Sequence, residues 1–208
     1  MHEPRRRTRL SRVLEFPHAA RHFACREDVG ARHVPRLPSH RGMSVETTTS
    51  ESDRTAVLFV CLGNICRSPL AEGIFLHLVH EAGLTDRFEV DSAGTGAWHV
   101  GERPDARAAM VASQHGVHLD SRARQITSDD LQRFDYVIAM DHENLRNIKR
   151  LAEATAPHAE VHLLREYDKS GEGDEVPDPY YGGASGFETV YEMVHRSCQN
   201  LLNRLSAA

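Results

Sequence analysis

A cysteine and an arginine six residues apart, Cys61 and Arg67, stand in the string Cys61-Leu62-Gly63-Asn64-Ile65-Cys66-Arg67-Ser68-Pro69. A sulfur nucleophile and a planar fork of N–H donors within one loop suit an anion with several oxygens, and phosphate is the obvious one. Gly63 and Asn64 are the residue types that best tolerate positive φ, so the chain can turn sharply between them. A helix starts near Ser68-Pro69, where proline's missing N–H costs little. Such a loop turns backbone N–H groups inward at a helix N-terminus and forms an anion cradle. Cysteines in electropositive surroundings of this kind react as thiolates. For either cysteine alone, a packed residue at the end of a buried strand is an adequate reading. The whole string argues for chemistry.

The second group is Asp178, held between Pro177 and Pro179 and followed by Tyr180-Tyr181-Gly182-Gly183. The two prolines keep the backbone extended, and the glycines release it. Taken alone, Asp-Pro is an ordinary acidic turn. Beside a thiolate and a phosphate cradle it gains a role, because a departing phosphoester oxygen needs a proton at neutral pH. Tyr180 and Tyr181 would then wall the pocket for an aromatic leaving group, the alternative being that they pack the loop onto the domain.

These groups need a scaffold that brings a strand end and a late loop together. From residue 54 strands alternate with helical stretches: strand 56–61, helix 68–82, strand 88–92, helix 104–115, a turn at 128–133, strand 136–140, helix 141–153, strand 161–164 and helix 185–205. The helices carry apolar stripes, for example Ile74, Leu78 and Val79, or Val190, Val194, Leu201 and Leu205. Cys198 falls within the last stripe and reads as a packed residue. Alternation of this kind predicts an α/β fold: a three-layer sandwich with a central four-stranded parallel sheet, helices on both faces and the phosphate-binding loop after the first strand. Ligands bind such sheets beyond the carboxyl ends of the strands, which is where Cys61 falls.

The formal charge of −5 on 208 residues hides an asymmetry. Residues 1–42 carry ten arginines, no lysine and four acids; the rest carries fifteen basic and twenty-six acidic residues. Residues 1–53 read as a disordered Arg-rich extension, with Met43 as an alternative start, and 54–208 as the folded domain. The apolar run at 56–62 is too short to span a bilayer. No signal-like apolar region opens the chain, and the four cysteines do not make a secreted disulfide framework. The expectation is therefore a cytoplasmic, monomeric protein without nucleic-acid or membrane partners.

Together the two motifs resemble the low-molecular-weight protein tyrosine phosphatases, over roughly residues 55–205. Asp91-Ser92-Ala93-Gly94, Trp98-His99-Val100-Gly101-Glu102-Arg103-Pro104-Asp105, Ala123-Arg124-Gln125-Ile126 and Phe134-Asp135-Tyr136-Val137 follow the family's order and spacing. The resemblance implies tyrosine-phosphorylated protein substrates and hydrolysis through a cysteinyl-phosphate, with no metal or organic cofactor. Cys61 is then the nucleophile, Arg67 and the loop N–H groups of residues 62–67 (Leu62, Gly63, Asn64, Ile65, Cys66) the phosphate ligands, and Asp178 the acid and later the base. It further implies that Ser68 donates to the thiolate, that Asn64 holds the loop with Ser92 as partner, and that Trp98 faces the tyrosines across the pocket. Cys66 would pair reversibly with Cys61 under oxidation. One departure stands out: Ser121 occupies a position where many members carry a histidine that supports the loop. An arsenate reductase on this fold needs relay cysteines, and none lies between Cys66 and Cys198. That reductase, a protein arginine phosphatase, in which threonine replaces Ile65, and a non-catalytic phosphate-binding module are the alternatives.

Overall fold

A computed structural model of the chain describes residues 54–153, 155–168, 173–180 and 183–207. The readings made for residues 1–53, for the Met43 start and for Tyr181 lie outside the described residues.

Four strands, β1 (Thr55–Cys61), β2 (Phe88–Gly94), β3 (Tyr136–Ala139) and β4 (Glu160–Leu163), form one parallel sheet in the order β2-β1-β3-β4. Five helices connect and cover it: α1 (Arg67–Glu81), α2 (Ala106–Gln114), α3 (Asp130–Arg133), α4 (His142–Ala152) and α5 (Ala184–Ser206). The β1 sequence Ala56-Val57-Leu58-Phe59-Val60 shows no polar alternation because both of its faces are covered. Val57, Phe59 and Cys61 point into a core shared with α1, α2 and α5. Ala56, Leu58 and Val60 point the other way, into a smaller core with Leu131, Phe134 and Ile148. Phe75 of α1 lies between Phe59 and Phe88, with ring centroids 5.6 Å from each. Each such buried side chain contributes roughly 1.5–3 kcal/mol.

The expected sandwich is therefore present, and its strand order explains where the chemistry sits. The chain leaves β1 towards β2 on one side and later fills β3 on the other, so the order reverses at β1. A crevice opens there beyond the carboxyl ends, and Cys61 ends β1 while Met140 and Asp141 follow β3.

Most boundaries shift by a residue or two from expectation, and three of the shifts have a visible cause. β2 runs two residues further, to Gly94, because the segment at Arg124–Ile126 docks on its end: Gly94 N–H donates to Arg124 O (2.8 Å) and Ile126 N–H to Gly94 O (2.8 Å). α2 begins at Ala106 and not at residue 104, since Asp105 is its N-cap and accepts from Arg107 N–H at 2.8 Å. Asp141, expected as the first helical residue, is likewise a cap, extended at ψ 170° and accepting from Asn144 N–H at 2.7 Å.

Candidate active site

The loop between β1 and α1 closes on Cys61. Asn64 is the one non-glycine residue with positive φ among the described residues, at 54°. Its side chain holds the loop in that shape and fixes the direction of every donor around it. Arg124 N–H donates to Asn64 Oδ1 (2.9 Å), so the amide nitrogen faces inward and gives its two hydrogens to Ser68 Oγ (2.9 Å) and Ser92 Oγ (2.8 Å). Ser92 accepts there and therefore donates its own proton to Glu72 Oε2 (2.6 Å). Ser68 also accepts from Asn64, leaving its proton for Cys61 Sγ at 3.1 Å or for Ala93 O at 3.2 Å. Asn64 N–H adds a second donor to the sulfur at 3.3 Å. A thiolate at Cys61 is thus met by the Asn64 N–H and, when the Ser68 proton turns to the sulfur, by a second donor.

Glu72, the acceptor of the Ser92 hydroxyl, was not singled out from the sequence. Burial pushes the Glu72 carboxyl up from its ordinary range, while hydrogen bonds from Ser92 and Ser121 partly offset this. Ser121, which stands where a histidine was expected, is thus among the groups that act on this carboxyl. Alanine in place of Asn64 leaves the Arg124 N–H unpaired and puts a Cβ-bearing residue without a side-chain hydrogen bond in the left-handed region. The expected loss is about 2–4 kcal/mol by denaturant unfolding, with slower alkylation of Cys61 by iodoacetate.

The loop also depends on how near it can come to β2. A Cβ on Gly94 would stand 2.8 Å from Leu62 O and 3.1 Å from Asn64 N. Thr95 N–H and Gly96 N–H then donate to Cys61 O (2.9 Å) and Leu62 O (2.8 Å), which sews the two segments together.

Arg67 opens α1, and the helix start carries neither a side-chain cap nor an acidic first-turn residue that would compete with an anion. The guanidinium is buried at 4 % exposure. Its NH1 donates to Asp141 Oδ2 at 2.6 Å and to Val176 O at 3.1 Å, and NH2 stands 3.5 Å from Asp178 Oδ2. Burial opposes its charge, but Cys61, Asp141 and Asp178 outweigh burial and hold it protonated. Asp141 is the second residue that sequence reasoning missed. Its signal was positional: an acid one step past β3, at the carboxyl edge where the strand order reverses.

Asp178 sits at the mouth, its side chain 43 % exposed. Val176 N–H pairs with Met140 O (2.8 Å) ahead of it, and Tyr180 N–H donates to Asp178 Oδ1 (3.0 Å) behind it. Cys61, Leu62, Gly63, Ile65, Cys66, Arg67, Trp98, His99, Asp178 and Tyr180 line one pocket of about 270 Å³. Trp98 and Tyr180 are its exposed apolar rim, at 73 % and 42 % exposure. The indole of Trp98 packs against Gly96, where an added Cβ would come within 1.8 Å of the ring. Ser68, Asn64 and Ser92 are buried beneath the pocket, behind the sulfur. Burial, with Asp105 as the next cause, pushes the Cys66 thiol up to about 12, so it stays protonated at neutral pH. Cys198 is buried in the α1/α5 core, away from these groups.

Such an arrangement can take a tetrahedral anion against the helix start, attack it with sulfur and protonate a group leaving towards the mouth. Residues 56–208 match the family described as low molecular weight phosphotyrosine protein phosphatase. A low molecular weight phosphotyrosine protein phosphatase of Schizosaccharomyces pombe is 48 % identical over 151 residues, covering 72 % of this chain and 96 % of its own. A crystal structure of a protein tyrosine phosphatase from Entamoeba histolytica superposes with a TM-score of 0.70 at 37 % identity, covering 74 % of this chain and 97 % of that one. A Drosophila arginine phosphatase superposes with a TM-score of 0.69 at 39 % identity, covering 72 % and 96 %.

Proposed function

Because the chain belongs to the low molecular weight phosphotyrosine protein phosphatases, we propose that it hydrolyses phosphotyrosine and other aryl phosphate monoesters through a cysteinyl-phosphate on Cys61. The observation that carries this reading is the convergence of Cys61, Arg67 and Asp178 on one pocket rimmed by Trp98 and Tyr180. In the first step the Cys61 thiolate forms a bond to phosphorus as the phosphorus–oxygen bond of the ester breaks. Asp178, protonated, gives its proton to the departing phenol oxygen. In the second step water attacks phosphorus and loses a proton to the Asp178 carboxylate, while the sulfur–phosphorus bond breaks. The returning thiolate is received by Ser68 O–H and Asn64 N–H. Arg67 and the loop N–H groups of residues 62–67 hold the equatorial oxygens as charge redistributes.

Ile65, Trp98 and Tyr180 favour a flat aromatic leaving group. Tyr181 belongs to this proposed wall by sequence. The substrates are then tyrosine-phosphorylated proteins, met in the cytoplasm by a monomeric domain spanning residues 54–208. Among the described residues no helix is long and apolar enough to cross a membrane. Cys66 supplies a redox brake: a peroxide oxidises the Cys61 thiolate to a sulfenic acid, and the Cys66 thiol displaces water from it to form a disulfide that a thiol reductant reverses.

The Drosophila neighbour favours phosphoarginine as a second reading. Phosphotyrosine, phosphoarginine and phosphoserine peptides of one sequence, assayed with a chelator present, separate the two. Phosphotyrosine is expected to be hydrolysed at least about tenfold faster than either of the others. Preference for phosphoarginine would overturn the assignment of substrate, and no turnover of any would overturn the assignment of enzyme.

A further inference from the structure

Asp178 works only if its turn stands at one height over the phosphate loop, and the structure shows a strut that spans the two. Asp105 N–H donates to Ile65 O at 2.7 Å, which fixes the start of α2 to the phosphate loop. The Asp105 carboxylate takes a two-pronged pair from Arg107, Nε to Oδ1 at 3.0 Å and NH2 to Oδ2 at 2.8 Å. The remaining Arg107 nitrogen, NH1, reaches across to Tyr180 O at 3.0 Å. The same guanidinium lies over two rings, Tyr180 at 5.4 Å and the buried Phe187 of α5 at 4.7 Å. Arg107 thus joins the phosphate loop, the acid turn and α5 through one planar group.

We infer that Arg107 is a positioning residue for general-acid catalysis: fixed by Asp105, it sets where the Asp178 carboxyl stands relative to the sulfur. The inference rests on the phosphatase reading and deepens it. Arg107 touches no reacting atom. It holds the carbonyl of Tyr180, whose N–H in turn holds Asp178 Oδ1 at 3.0 Å. Only arginine fits, because the fork onto Asp105 and the third nitrogen onto Tyr180 O require a planar group with donors on three sides. The Asp105 carboxyl is held below its usual range first by its hydrogen bond from Arg107, consistent with a permanent ion pair.

The test is the dependence of kcat/KM on the leaving group, with phenyl phosphate as the poor ester and p-nitrophenyl phosphate as the activated one. Arg107→Met keeps the length of the side chain and loses every donor. It is expected to lose about tenfold with phenyl phosphate and less than about threefold with p-nitrophenyl phosphate, while inhibition by inorganic phosphate at the Arg67 site stays at the wild-type value. Arg107→Lys, with a single donor nitrogen left, recovers part of the difference between the esters. Asp105→Asn keeps a good helix cap and weakens the fork, so it shifts the same ratio in the same direction. Equal losses on both esters, or no loss on either, would remove Arg107 from the acid's machinery. A wild-type protein inactive on both esters would instead defeat the phosphatase reading, so the two failures are distinct.

Discussion

Cys61→Ser is expected to abolish turnover of aryl phosphates, by ~10⁴-fold or more, without loosening the fold. The substitution changes one buried atom, and serine keeps its contacts with Asn64 N–H and Ser68 Oγ, now at 3.3 and 3.1 Å from the sulfur. What disappears is the proposed nucleophile. A serine hydroxyl becomes reactive only beside a base that takes its proton, and the neighbours of Cys61 are donors. Arg67 and the start of α1 are untouched, so the variant still binds inorganic phosphate and phosphotyrosine peptides. It therefore retains substrate that it cannot consume. Loss of binding together with turnover would show that Cys61 is a structural residue, and turnover that survives would show that another group attacks phosphorus.

Asp178→Ala is the second large effect, and its diagnostic is selectivity. A positioned general acid contributes about 10²–10⁴-fold, and an ester whose phenol leaves unaided needs it least. The variant is expected to lose roughly 10²-fold or more in kcat/KM with phenyl phosphate and far less with p-nitrophenyl phosphate. Stability should change little, because the side chain is 43 % exposed and its contact with Arg67, at 3.5 Å, lies at the edge of hydrogen bonding. Equal slowing of both esters would place Asp178 in binding and not in proton transfer. Comparison with Arg107→Met then orders the two residues: the acid has the larger effect, the residue that holds it a smaller one of the same kind.

Much of the architecture was legible because local and global signals coincide in this chain. A continuous apolar β1, turn residues at Gly63-Asn64 and a proline in the first turn of α1 all require the same strand, loop and helix. Pro177-Asp178-Pro179 singled out the proposed acid because two prolines leave one aspartate little conformational freedom. Asp141 was harder to see, since an aspartate ahead of a helix has a sufficient explanation as a cap. Its Oδ1 does cap α4, and only the fold shows that Oδ2 faces Arg67, 74 residues earlier in the chain. Glu72 was hidden in the same way: on α1 it reads as a polar surface position, yet β2 brings Ser92 over it. Arg107 carried no sequence signal beyond a charge near a helix start, and its reach to Tyr180 depends on α2 and the acid turn meeting over the pocket.

The central claim is a covalent phosphoryl group on the Cys61 sulfur, and rapid-quench mass spectrometry tests it most directly. Enzyme mixed with excess p-nitrophenyl phosphate should release a burst of p-nitrophenol approaching one equivalent, and peptide mapping should find the phosphoryl mass on the fragment holding Cys61. A burst with the phosphoryl group on any other residue, or phenol release with no phosphorylated enzyme at any time, would contradict the account.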